Sequence, residues 1–256
     1  MKLFGIVVLL VMLGAAGCVA DTTPEQASPA PRTATINISS NGQMYPAYVS
    51  APAGTGPYPG IVLIHSFNGL EPGYLILVDL FAAKGYVVIA PQWQTFNKSP
   101  GDNEVKILIE SATGYLKTRA DVDTQHLGLT GFCAGGRYTM LFLPQLKDFR
   151  SGVAWYGFPY SGANGTRPVD YIGNLSAPLL IIHGSSDQAS PVTDIYKYVD
   201  SLHQSGKYFE LKVYQGEPHG FMVQNGQMNK NDVARNAFGE MVEFFNRTLK
   251  GPGISL

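Results

Sequence analysis

The chain has 256 residues, enough for one well-buried domain and short for two. Its formal net charge is −1 and neither sign is clustered, which removes the electrostatic case for a nucleic-acid partner. Hydrophobic residues make up 45%, a level that fits a soluble globular protein, and no internal repeat is visible.

The first 20 residues differ from the rest. "MKLFGIVVLLVMLGAAGCVA" carries Lys2, an apolar run from Leu3 to Leu13, then small residues. The run is short for a membrane span, which needs about 20 residues, and the whole pattern reads as a secretory signal. "AAGC" resembles a lipoprotein lipobox with Cys18 as the lipidated residue, although Ala15 stands where such boxes usually carry Leu. Cleavage after "CVA", leaving Asp21 first, and a retained anchor remain open beside it. The expectation is an exported protein, held at a membrane by its lipid or otherwise secreted. Residues 21–32, rich in Pro, Ala and Thr, read as a flexible tether, and residues 33–250 as a single monomeric domain.

The domain opens with two alternating stretches, "TATINIS" and "MYPAYVSA", separated by "SNGQ", a hairpin pattern. "GIVLIH" is a short continuous apolar run, as expected of a strand buried on both faces. A helix follows over about 72–84, stopped by Gly85. Then come "YVVIAP" (strand), "NEVKILIESATGYLKT" (helix), "HLGLTG" (strand), "AGGRYTMLFLPQL" (helix) and "SGVAWYG" (strand). Residues 157–176 read as irregular. "PLLIIHG" (strand), "PVTDIYKYVDSLHQSG" (helix), "FELKVYQG" (strand) and "NDVARNAFGEMVEFFNRTL" (helix) complete the chain. This alternation predicts an α/β fold: a mostly parallel twisted sheet of about eight strands with helices on both faces. Ligands of such sheets bind at the carboxyl ends of the strands, so the residues just after each strand carry the functional question.

"GFCAGG" holds the most informative of these. It places Cys133 between a strand and a helix in the pattern G-x-nucleophile-x-G, a sharp turn that exposes the central side chain. Gly131 and Gly135 fit because a side chain there would meet the neighbouring strand or helix. The free N–H groups and positive dipole end of the following helix favour negative charge at the turn. A thiol needs a base, and the base needs an orienting carboxylate. In this architecture the order is nucleophile, acid, histidine. Asp187 in "HGSSDQASP" and His219 in "YQGEPHGF" supply that order, each in the loop after a strand. His65 and His183 end strands beside small neighbours and read as structural. With two cysteines more than a hundred residues apart and no clustered histidines, no metal is expected.

An oxyanion hole at such a turn uses two backbone N–H groups. One belongs to the residue after the nucleophile, Ala134; the other comes from the loop "HSFNGLEPG", where Phe67 is the candidate. Ser66, Trp93, Phe96, Tyr156, Phe158 and Phe221 are candidates to line an apolar, aryl-binding pocket.

The set "GYVVIAP", "GFCAGG", "AWYG", "HGSSDQASP", "GEPHGF" and "FGEMVEFF", in this order from about residue 33 onward, resembles the dienelactone hydrolase family of the α/β-hydrolases. The resemblance implies a Cys–His–Asp triad, no metal or other cofactor, and hydrolysis of small-molecule esters or lactones through a thioester. The chain departs from the family at two places. Ser66 stands where members often carry a Glu associated with holding the thiol in check. No arginine stands near Gln94–Phe96 or at Val223, where the dienelactone enzymes hold the substrate carboxylate, so a substrate other than dienelactone is expected. The alternative is a catalytically silent, membrane-tethered binding protein on a hydrolase scaffold.

Overall fold

The computed structural model describes residues 29–162 and 165–251; Cys18, the signal and most of the tether lie outside the described residues. Eight strands form one sheet in the order β1-β2-β4-β3-β5-β6-β7-β8. They are β1 (Arg32–Ser40), β2 (Gln43–Ala51), β3 (Tyr58–Ile64), β4 (Val87–Pro91), β5 (Val122–Phe132), β6 (Phe149–Trp155), β7 (Leu179–Gly184) and β8 (Phe209–Tyr214). β1–β2 and β2–β4 pair antiparallel and all other neighbours in this sheet pair parallel. The opening hairpin turns through Asn41 (φ 47°) and Gly42 (φ 76°), two left-handed residues whose twist suits a two-residue loop.

Alternation explains why the central strands read as unbroken apolar runs. Along β3, Ile61 and Leu63 enter one core, while Val62 and Ile64 enter the other. The first core is closed by α1 (Pro72–Ala83) and α5 (Asp232–Phe245). The second is closed by α2 (Asp102–Thr118), α3 (Ala134–Phe142) and α4 (Val192–Gln204). α1 starts on a proline, where no intrahelical N–H is needed, and stops before Gly85 (φ 85°). The Asn231 side chain caps α5 by accepting from the Ala234 N–H at 2.7 Å.

Three features escape the sequence pattern. The stretch read as irregular contains a 3-10 helix, Pro168–Asn174. After His219 a small ribbon forms from β9 (Val223–Gln224) and β10 (Gln227–Met228), turning at Asn225 and Gly226. Strands of two residues are too short to show a period. The Gly226 carbonyl accepts from the Gly73 N–H at 2.9 Å, which ties the ribbon to the start of α1. The final helix ends in a π turn over Asn246–Lys250.

β5 passes into α3 through a single residue. Cys133 has φ 58° and ψ −113°, a strained conformation for a residue with a side chain. The turn is held by the Cys133 N–H donating to the Trp155 carbonyl at 3.0 Å and the Arg137 N–H donating to the Cys133 carbonyl at 2.9 Å. It closes only because its flanks lack side chains: a Cβ at Gly131 would overlap the Gly135 carbonyl, and one at Gly135 the Ile64 carbonyl. Both obstacles are backbone, so neither can swing away. Gly135→Ala is therefore expected to cost about 2–3 kcal/mol of unfolding free energy or more in urea titration. A variant as stable as wild type would contradict the close approach.

Candidate active site

The carboxyl ends of β5, β7 and β8 bring three side chains together. Asp187 follows β7 in a tight loop, with its N–H donating to the Gly184 carbonyl at 3.3 Å. Its carboxylate is buried and spoken for on both oxygens. Oδ1 accepts from the Ser190 N–H at 2.8 Å, and Oδ2 accepts from His219 Nδ1 at 2.7 Å. His183 stands behind it: Nε2 donates to the Ser190 carbonyl at 2.8 Å and lies 3.5 Å from Asp187 Oδ2. Ser190 Oγ in turn donates to the Gly157 carbonyl at 2.7 Å, joining the acid loop to the end of β6. The acid and histidine loops are joined directly, the Ser186 N–H donating to the Glu217 carbonyl at 3.0 Å.

With Nδ1 committed to Asp187, His219 has Nε2 left over. That atom is buried and reaches no partner in hydrogen-bonding geometry among the described residues. The half-exposed Cys133 is its neighbour. Burial works against a charged imidazole here, but the bond to Asp187 and the adjacent Cys133 sulfur outweigh it and hold His219 up at about 9. The ring is flanked by Tyr156, edge-on at 5.1 Å between centroids, and by Phe158, tilted at 5.3 Å.

The two oxyanion candidates lie on different elements, Ala134 at the start of α3 and Phe67 in the loop after β3. Ala134 is the first residue of α3, so its N–H has no intrahelical acceptor. Phe67 lies in the loop after β3 with an exposed ring, and its carbonyl accepts from Gln94 Nε2 at 2.9 Å. Lys98 Nζ lies 5.5 Å from the centre of the Phe67 ring.

The aromatic candidates divide by burial. Trp93 is 2% exposed, and Tyr156 and Phe221 are 0% exposed, so they pack beneath the surface rather than face a ligand. Trp93 stacks on His65 with centroids 5.3 Å apart. Phe221 packs against Tyr156 at 5.7 Å. Phe96 is exposed but turned to the edge of Tyr45, 5.0 Å away. Phe67 and Phe158 remain as partly open aromatic surface. The physical reason is that loops at strand ends leave gaps that large rings fill. Ser66 is buried, its Oγ accepting from the Asn68 N–H at 3.2 Å.

One residue near the thiol went unread in the sequence. Tyr74, on the buried face of α1, reaches the Ser66 side chain and feels the Cys133 sulfur; burial pushes its phenol far up, against the pull of Ser66. Its only signal was an apolar helix stripe. Tyr156 stands in the left-handed region (φ 35°) with its hydroxyl buried against the Met222 backbone. Arg137, after the turn, forms a two-pronged pair with Asp102 at 2.7 and 2.8 Å and donates through Nε to the Ser161 carbonyl at 2.9 Å. It braces the loop after β6.

The model of the dienelactone hydrolase family matches residues 45–249. A Methylorubrum extorquens protein named "Putative carboxymethylenebutenolidase" is 27% identical over 233 residues, covering 83% of this chain and 80% of its own length. A Bradyrhizobium protein named "Probable 2-oxo-3-(5-oxofuran-2-ylidene)propanoate lactonase" is 27% identical over 237 residues, covering 84% of this chain and 94% of its own. Among solved structures, one from Klebsiella pneumoniae titled a "Putative Dienelactone Hydrolase" superposes with a TM-score of 0.78 at 23% identity, over 86% of this chain and 100% of that one.

The raised His219 makes stability depend on pH. An unfolded histidine titrates near 6.5 and the folded one at about 9, so the folded state holds the extra proton between those values. This contribution is complete below about pH 6.5 and is lost as pH rises through about 9. Urea midpoints are expected to fall over that window for wild type and to lack that component in His219→Gln. Parallel profiles for the two would contradict the raised value.

Proposed function

The chain belongs to the dienelactone hydrolase family, and from that premise we propose that it hydrolyses carboxylic esters or lactones through a thioester on Cys133. The supporting observation is the pairing of Asp187 with His219 Nδ1 at 2.7 Å, which leaves the unpartnered Nε2 beside a thiol on a strained turn. Cys133 Sγ attacks the carbonyl carbon as the thiolate, its proton held on His219 Nε2. Asp187 fixes the tautomer and balances the imidazolium. The Phe67 and Ala134 N–H groups receive the oxyanion. On collapse, His219 returns the proton to the leaving oxygen and the C–O bond breaks. An ester releases its alcohol; a lactone keeps the new hydroxyl on the acyl group. Water, deprotonated by His219, then attacks the thioester, and Sγ leaves as the carboxylic acid forms.

The surroundings favour an uncharged acyl or aryl group. Phe67 and Phe158 offer ring surface, and residues 94–96 and 223 offer no guanidinium for a substrate carboxylate. Export and a lipid on Cys18 belong to the same proposal and rest on residues 1–20 alone. They would hold the domain at a membrane face.

The test is hydrolysis of a panel of aryl esters and lactones by wild type beside Cys133→Ala. Activity in wild type and its loss by about a thousand-fold or more in the variant is expected. Equal activity in both contradicts the role of Cys133. No hydrolysis by either, with a thiol inert to iodoacetamide, favours the silent binding protein.

A further inference from the structure

His65 follows β3 and is 1% exposed. Its Nδ1 lies 2.7 Å from the Ser66 carbonyl oxygen. A carbonyl only accepts, so the ring proton sits on Nδ1. Nε2 is buried and has no partner among the described residues. A second proton would face no acceptor there, and burial pushes the imidazole down to about 4, against the pull of the Ser66 carbonyl. The ring is therefore a neutral donor of fixed tautomer through the ordinary pH range. Trp93 holds it in place, stacking on it and donating from its indole Nε1 to the His65 carbonyl at 3.2 Å.

The carbonyl that His65 grips belongs to the same planar peptide unit as the Phe67 N–H. Fixing the oxygen fixes the direction of that N–H on the opposite side. The same oxygen also accepts from the Gly69 N–H at 3.2 Å. The next peptide is held from the other side, with Gln94 Nε2 donating to the carbonyls of Phe67 at 2.9 Å and Lys98 at 2.8 Å. A hydrogen bond to an amide oxygen also polarises the amide, so that its N–H donates more strongly.

We propose that His65 is the positioning residue of the oxyanion hole: through the Ser66 carbonyl it aims and polarises the Phe67 N–H. This rests on the reading of Phe67 as an oxyanion donor. His65 touches no substrate, so its contribution is confined to the charged tetrahedral stage. It should therefore appear in kcat rather than in KM.

The test compares wild type, Cys133→Ala, His65→Leu and His65→Gln on one aryl ester, with iodoacetamide alkylation of Cys133 alongside. His65→Leu fills the space without a donor. Its kcat is expected to fall roughly ten- to a hundred-fold, below the loss on removing a whole donor. KM should stay within about threefold of wild type and the alkylation rate should be unchanged. The loss should be constant from about pH 6 to 9, because the ring does not titrate there. His65→Gln, which keeps an amide donor, should recover part of it. A His65→Leu kcat equal to wild type overturns the inference alone, and so does a parallel change in kcat, KM and alkylation rate. Full activity in Cys133→Ala overturns both the inference and the reading beneath it. Should His65→Leu not fold, the ring 15N shifts of wild type decide. A neutral Nδ1–H tautomer across that range supports the proposal, and an Nε2–H tautomer or a cation overturns it.

Discussion

Where β5 meets α3, the backbone runs so close to its neighbours that two positions have no room for a side chain. Gly131 faces the Gly135 carbonyl and Gly135 faces the Ile64 carbonyl. That double approach lets a single residue, Cys133, turn the chain from strand to helix at a positive φ. The strain is local and its support is distributed. The adjacent strand accepts the Cys133 N–H through Trp155, and apolar cores on both faces of the sheet hold β5, β3 and β6 in register. Loosening the turn would move the thiol away from the imidazole beside it.

The polar layer above the sheet fixes the acid, histidine and oxyanion-side loops through buried hydrogen bonds. Asp187 has one oxygen on Ser190 and one on His219. His183 secures the same loop through the Ser190 carbonyl, and Ser190 reaches across to Gly157. On the opposite side His65 and Gln94 fix successive carbonyls of the loop after β3. His219 Nε2 is left facing Cys133. Electrostatics reinforces the geometry, because the carboxylate and the sulfur together keep His219 ready to carry a proton despite its burial.

Much of this was legible because it rests on short-range rules. Apolar runs such as "GIVLIH" require a sheet covered on both faces, and the alternation of strands and helices requires parallel pairing. "GFCAGG" declares its turn because glycine is the one residue that fits such an approach. Asp187 and His219 were found by their loops after strands, and the structure sets them 2.7 Å apart. The aromatic residues were harder. A tryptophan or tyrosine in a loop reads alike whether it faces a ligand or fills a gap, and Trp93, Tyr156 and Phe221 fill gaps. Tyr74 was hidden because a helix stripe shows which side is buried, not what it is buried against. The β9–β10 ribbon was hidden because two residues cannot display a period.

The central claim is that acyl transfer passes through the Cys133 sulfur. Mixing the protein with an activated aryl ester, quenching with acid at early times and measuring the mass of the Cys133 peptide tests it directly. The account predicts a transient acyl adduct on Cys133 that decays as free acid appears, and that is cleaved by hydroxylamine as a thioester should be. Continued hydrolysis with no adduct on that peptide, or with the adduct on another residue, would contradict it.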